Sequence, residues 1–128
     1  MKNVKQLAVF VANQPGTLTR LIKAFAENNI NIMGMMVSDA MDHAVLRLVP
    51  DKADEAITLL EEAGLLVLDT NVFMIELDNK PGMLFKFGSK LSDKGINIEY
   101  AYGGVNQLNQ KGVLFVKTSD PDTTAELL

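Results

Sequence analysis

Apolar residues alternate with other residues at Leu7, Val9 and Val11, and again at Phe73, Ile75 and Leu77. A period of two marks a strand with one buried face. A helical period follows each alternation. Leu18, Leu21, Ile22 and Phe25 share one stripe, and Leu84, Phe87 and Leu91 share another, with Gly88 at the fourth position. The first helix closes on Glu27-Asn28-Asn29 and its counterpart on Asp93-Lys94-Gly95, residues that tolerate the left-handed conformation at a helix end. A second strand is predicted from Asn31 or Asn97, a turn near 38–42 or 103–111, and a third strand over 44–49 or 113–117. In the first half, Asp51-Lys52-Ala53-Asp54 opens a second helix with the stripe Ala56, Ile57, Leu60 and Ala63. Gly64 ends that helix, and Leu65-Leu66-Val67-Leu68 reads as a fourth strand.

The chain therefore repeats itself. Asn13-Gln14-Pro15-Gly16-Thr17-Leu18 returns as Asn79-Lys80-Pro81-Gly82-Met83-Leu84, and Ile30-Asn31-Ile32 returns as Ile96-Asn97-Ile98 at the same offset of 66 residues. Two motifs sharing one offset indicate duplication of a structural unit. The expected fold class is α+β: two ferredoxin-like βαββαβ repeats, each an antiparallel sheet with both helices on one face. Repeat 1 is assigned to residues 1–69 and repeat 2 to residues 70–128. Asp120-Pro121-Asp122 opens the second helix of repeat 2, whose last strand would begin near position 133 and so is missing from the chain. That edge has to be satisfied elsewhere, because an open strand edge invites pairing. The sheet faces turned away from the helices carry Phe10, Val45 and Val49 in one repeat and Val72, Met74 and Phe115 in the other. They are too apolar to be left in water, which predicts a homodimer or higher oligomer.

Composition removes several chemistries. The 128 residues include no cysteine, one histidine and a net charge of −4. Disulfides, thiolate catalysis and Cys-based zinc sites are excluded, and no metal site is predicted. His43 reads as a solvated hairpin residue. An acidic surface repels phosphate backbones, so no nucleic-acid partner is expected. No nucleophile–base set, Walker loop or nicotinamide fingerprint is present, so neither catalytic residues nor a cofactor is assigned. The first residues lack a leader pattern, and no apolar run approaches the roughly 20 residues that span a bilayer. A soluble, cytoplasmic protein with no membrane partner is expected.

The chemistry lies in the repeated Asn-x-Pro-Gly. Proline fixes φ, and glycine lacks a Cβ, so the turn can be tight and its backbone open to approach. The helix that follows begins with N–H groups lacking internal partners, at the positive end of its dipole. Together these make a socket for a small carboxylate. The start of the second strand, at Asn31 or Asn97, is expected close by, its backbone and side chain adding donors and acceptors for a zwitterion. The methionines of Met33-Gly34-Met35-Met36 read as core or oligomer packing, or as the wall of a ligand pocket.

Asn-x-Pro-Gly-x-Leu, with Asn-Ile about 16 residues beyond the proline, resembles the ACT domain family. The whole chain resembles its small stand-alone tandem members. The resemblance implies that a free amino acid binds where ACT units meet, the loop after the first strand of one unit facing the second strand of its neighbour. It implicates Asn13, Pro15, Gly16, Thr17 and Leu18 with Asn97 and Ile98, and Asn79, Pro81, Gly82, Met83 and Leu84 with Asn31 and Ile32. The implied function is regulation without catalysis: sensing a small amino acid and altering oligomer state or a partner enzyme. The alternative is a protein-interaction module with degenerate pockets and no ligand.

Overall fold

The computed structural model describes residues 1–12, 14–40, 43–104 and 110–128. In chain order the elements are β1 (Lys2–Ala12), α1 (Thr17–Glu27), β2 (Ile32–Ala40), β3 (His43–Pro50), α2 (Ala53–Glu62), β4 (Val67–Asp78), α3 (Met83–Ser92), β5 (Ile98–Gly104), β6 (Lys111–Thr118) and α4 (Pro121–Leu127). The α+β class and the doubled βαββαβ pattern are those expected from the periodicity.

The chain divides into two compact units. One is Lys5–Thr70, and the other is Asn71–Leu128 together with Met1–Val4. In the first unit the strand order is β2-β3-β1-β4, with β3 antiparallel to both β1 and β2. Leu7 faces Leu48, Val9 faces Leu46 and Val11 faces Ala44. Side chains on directly opposed residues project to the same side of a sheet, and all six are buried against Leu21 and Phe25 of α1 and Ala56 and Leu60 of α2. The alternation thus selects the face that the two helices cover.

In the second unit the order is β1-β4-β6-β5, and its share of β1 is residues 2–4. Those residues occupy the place a fourth strand would take in the repeat, so the edge expected to lack a partner lies beside the beginning of the chain. Phe73 and Ile75 of β4 pack with Phe87 and Leu91 of α3, Ile96 and Val116. The boundary expected between residues 69 and 70 falls inside β4, which runs unbroken through it.

The faces turned away from the helices differ from the expectation in one respect. Val49, Val72 and Phe115 are 0%, 1% and 4% exposed in the single chain. Phe10, Val45 and Met74, expected on the same faces, are half-buried. Phe115 is stacked beneath Tyr102, its partner across the β5–β6 ladder, with ring centroids 5.4 Å apart.

α4 is short and held by specific bonds. The Asp120 carboxylate accepts from the Thr123 N–H at 3.1 Å, and its carbonyl accepts from the Thr124 hydroxyl at 2.7 Å. The Thr124 hydroxyl also meets that of Thr118 at 2.9 Å, in a buried setting. Hydrogen bonds from Thr123 hold the Asp120 carboxyl below its ordinary value of 3.8.

Three outcomes follow. Phe25→Ala removes the largest fully buried side chain and should cost about 3–5 kcal/mol in urea unfolding, with the denaturant slope unchanged. Deleting residues 1–4 should accelerate hydrogen exchange of amides in β4 between 72 and 77 and promote association through the bared edge; unchanged exchange there would contradict the strand assignment. Because its folded-state pKa is depressed, the Asp120 cap contributes above the unfolded carboxylate pKa and is lost as pH falls through the lowered value. Asp120→Ala should therefore lower Tm at pH 7, with the gap from the parent closing in strong acid.

Candidate functional site

The two Pro-Gly turns repeat one another bond for bond. In the first, the Gln14 N–H donates to the Ala12 carbonyl (3.0 Å), the Thr17 N–H to Gln14 (3.3 Å) and the Arg20 N–H to Gly16 (3.0 Å). In the second, the Lys80 N–H donates to Asp78 (2.9 Å), the Met83 N–H to Lys80 (3.3 Å) and the Lys86 N–H to Gly82 (2.9 Å). Gly16 and Gly82 are the N-caps of α1 and α3, at φ 85° and 90°. That left-handed geometry costs other residues roughly 1–2 kcal/mol, so glycine is required at both. As glycines, neither caps its helix with a side-chain hydrogen bond. Among the described residues, no backbone carbonyl accepts from the N–H groups of Gly82, Leu84 and Phe85, nor from those of Gly16, Leu18 and Thr19. Asn13, the first residue of the motif, lies outside the described residues.

The surroundings of the turns differ. No atom lies within 4 Å of where a Cβ on Gly82 would stand, whereas at Gly16 that position is 3.3 Å from Nη1 of Arg20. Beside the second turn is a cavity of about 220 Å³, lined by Asn79, Lys80, Met83 and Leu84 and, across from them, Gly103 and Gly104 at the end of β5. Gly103, at φ 149°, is confined to glycine because a Cβ would collide with the Val113 carbonyl oxygen. Leu84, expected on the buried stripe of its helix, is 63% exposed: at this first turn of α3 the neighbouring space is the cavity rather than packed side chains. Phe85 is 80% exposed. The sequence reading missed Phe85, though an aromatic residue off the apolar stripe was a visible signal, and it placed Gly103 and Gly104 in a loop.

The second-strand starts lie elsewhere. Within a unit, the Pro-Gly turn and the Asn-Ile pair stand at opposite ends of the intervening helix. The 11 residues of α1 place them about 16 Å apart at 1.5 Å per residue. The expectation that they lie close together in one unit is corrected by this topology: β1 and β2 both run antiparallel to β3, so the end of one is far from the start of the other. Their backbone groups are also occupied. The Asn31 N–H donates to Oδ1 of Asp51 (2.9 Å) and its carbonyl accepts from the Asp51 N–H (3.0 Å). Asn97 forms the same clasp with Ser119, with both bonds 2.9 Å. Ile32 and Ile98 pack against the cores of their own units. Leu18 is also partly buried against the first core, and Thr17 lines a cleft between α1 and α2. Pro15 and Pro81 are exposed in their turns. The side chains of Asn31 and Asn97 are what these positions still offer.

N–H groups with no backbone acceptor, beside lysine or arginine, suit an anion. Among the described residues, no group of three or more His, Asp or Glu could hold a metal ion. No helix among them is long and apolar enough to cross a membrane.

Comparison with solved structures finds protein BT0572 from Bacteroides thetaiotaomicron at a TM-score of 0.92 and 32% identity, covering 98% of this chain and 86% of that one. The regulatory subunit of aspartate kinase from Thermus thermophilus, in its ligand-free form, aligns at a TM-score of 0.73 and 14% identity, over 99% and 95% of the two chains. That from Thermus flavus aligns at 0.67 and 18%, over 99% and 88%. These two share the fold. No curated protein sequence matches. The family model described as an ACT domain pair matches residues 2–128. It spans both repeats and both glycine turns, and the chain belongs to the ACT domain pair family.

Proposed function

We propose that the chain is a non-catalytic, cytoplasmic regulatory protein that binds a small free amino acid at its Pro-Gly turns and passes the event on as a change of oligomer state or of a partner enzyme. The observation that carries this reading is the second turn. Three N–H groups without backbone partners stand there under an unobstructed glycine, beside a cavity of about 220 Å³. Such amides hold a carboxylate, and the cavity volume sits below the usual range of roughly 300–1,000 Å³ for drug-sized ligands, which fits a small zwitterion. The separation of each turn from the Asn-Ile pair of its own unit supports a ligand completed by the second strand of another ACT unit. The aspartate kinase subunits of like fold are named as regulatory, in keeping with such a role.

A homodimer belongs to the same proposal, on a different surface from the one the alternation singled out. Met33, Met35 and Val37 are all exposed on β2, the outermost strand of the first unit. A row of apolar side chains on an unpaired strand edge favours pairing with another strand.

The second reading, an interaction module without a ligand, is favoured by Leu84 and Phe85, two large apolar side chains exposed side by side at the start of α3.

The twenty amino acids separate the readings. One small amino acid at about 100-fold above its Kd should stabilise the protein by ~2.7 kcal/mol, a rise in Tm on the order of 10 °C for a domain of this size. Gly82→Ala, strained at φ 90°, should abolish most of that rise. No response to any of the twenty, combined with co-purification of a specific protein through Phe85, would establish the interaction module instead. Sedimentation of a strict monomer at micromolar concentration would remove the dimer.

A further inference from the structure

The first unit holds a second concavity, which shares Thr17 alone with the residues assigned to the amino-acid site. A cleft of about 440 Å³ runs between α1 and α2, within the size range of small-molecule sites. Its floor is apolar, made by Val11, Leu21, Phe25, Leu60 and Leu65, and it is held open by two small residues, Ala24 and Ala63. At one end the lining turns polar with Gln14, Thr17 and Arg20. Arg20 is exposed and makes no ion pair among the described residues. Its guanidinium is folded back over the turn, with Nη1 3.3 Å from the site of a Gly16 Cβ. A guanidinium presents a fork of donors matched to a carboxylate. No aspartate or glutamate is among the described residues lining the cleft, so an ammonium group would lack a counter-charge.

We propose that this cleft binds an apolar monocarboxylate that carries no ammonium group, its carboxylate on Arg20 and its hydrocarbon part between the helices. Charge complementarity selects the head and the apolar floor selects the tail. The duplicate unit is built differently at the same positions: Lys86 stands for Arg20, and Lys90 stands where Ala24 keeps the cleft open. The site is thus a property of the first repeat alone. Either a branched 2-oxo acid or a short fatty acid has this chemistry.

Titration of the isotopically labelled full chain by NMR tests the proposal, with 4-methyl-2-oxopentanoate and hexanoate as probes and leucine and hexan-1-ol as controls. At least one acid should shift the amide signals of Leu21, Ala24, Leu60 and Leu65 saturably, and the tighter of the two acids identifies the class. Arg20→Gln, a change at an exposed side chain, should weaken binding about tenfold or more, and Ala24→Leu should close the cleft. Leucine and the alcohol should bind at least tenfold more weakly there. The proposal is overturned if neither acid shifts these signals at millimolar concentration, if Arg20→Gln leaves the affinity unchanged, or if leucine binds the cleft as well as the acids do. Signals of Gly82 and Leu84 report the amino-acid reading separately, so either idea can fail without the other.

Discussion

A strand presents N–H and C=O groups along both edges, and the architecture of this protein depends on where those groups find partners. Each repeat supplies three strands of its own sheet in sequence order and needs a fourth beside its first. In the first unit the start of β4 takes that place, and just before it the Phe10 N–H reaches the Leu66 carbonyl at 3.3 Å. In the second unit residues 2–4 take it. With those places filled, the helices close over one face of each sheet, and the two apolar clusters form on either side of the sequence boundary.

Much of this was legible because a period of two is decisive where one face is buried. Leu7, Val9 and Val11 could belong to only one face, and their opposed partners Leu48, Leu46 and Ala44 follow from it. What was not legible has physical causes. Lys2-Asn3-Val4-Lys5 has no apolar alternation, so its pairing role leaves no trace in the pattern and depends on a partner far along the chain. The nearness assumed between each Pro-Gly turn and its Asn-Ile pair came from reading spacing in one dimension; a helix of 10 or 11 residues separates them in space. The clasps of Asn31 with Asp51 and Asn97 with Ser119 were equally invisible, since a carboxylate in one repeat and a hydroxyl in the other serve the same end.

Duplication has kept the backbone of the turns and varied their side chains. Both glycines hold the left-handed geometry and both helices begin with amides that, among the described residues, have no backbone acceptor, yet a guanidinium lies over the first turn and open space over the second. The two sockets present unequal electrostatic environments to the same kind of anion. An arginine close by strengthens attraction for a carboxylate while occupying part of the approach, whereas the bare turn depends on backbone dipoles and on whatever covers the adjoining cavity. The two turns therefore share a backbone and differ in electrostatic surroundings.

The tethering of residues 2–4 to the second unit also bears on how the protein is made. Those residues are synthesised before their strand neighbour in β4, which lies roughly seventy residues further along. Contacts of such sequence separation close slowly, because loop entropy is lost before any pairing compensates for it. The first unit has its whole span, Lys5–Thr70, in hand earlier and can gather its core while the opening segment is still unattached. Residues 2–4 are thus among the last parts to find their place.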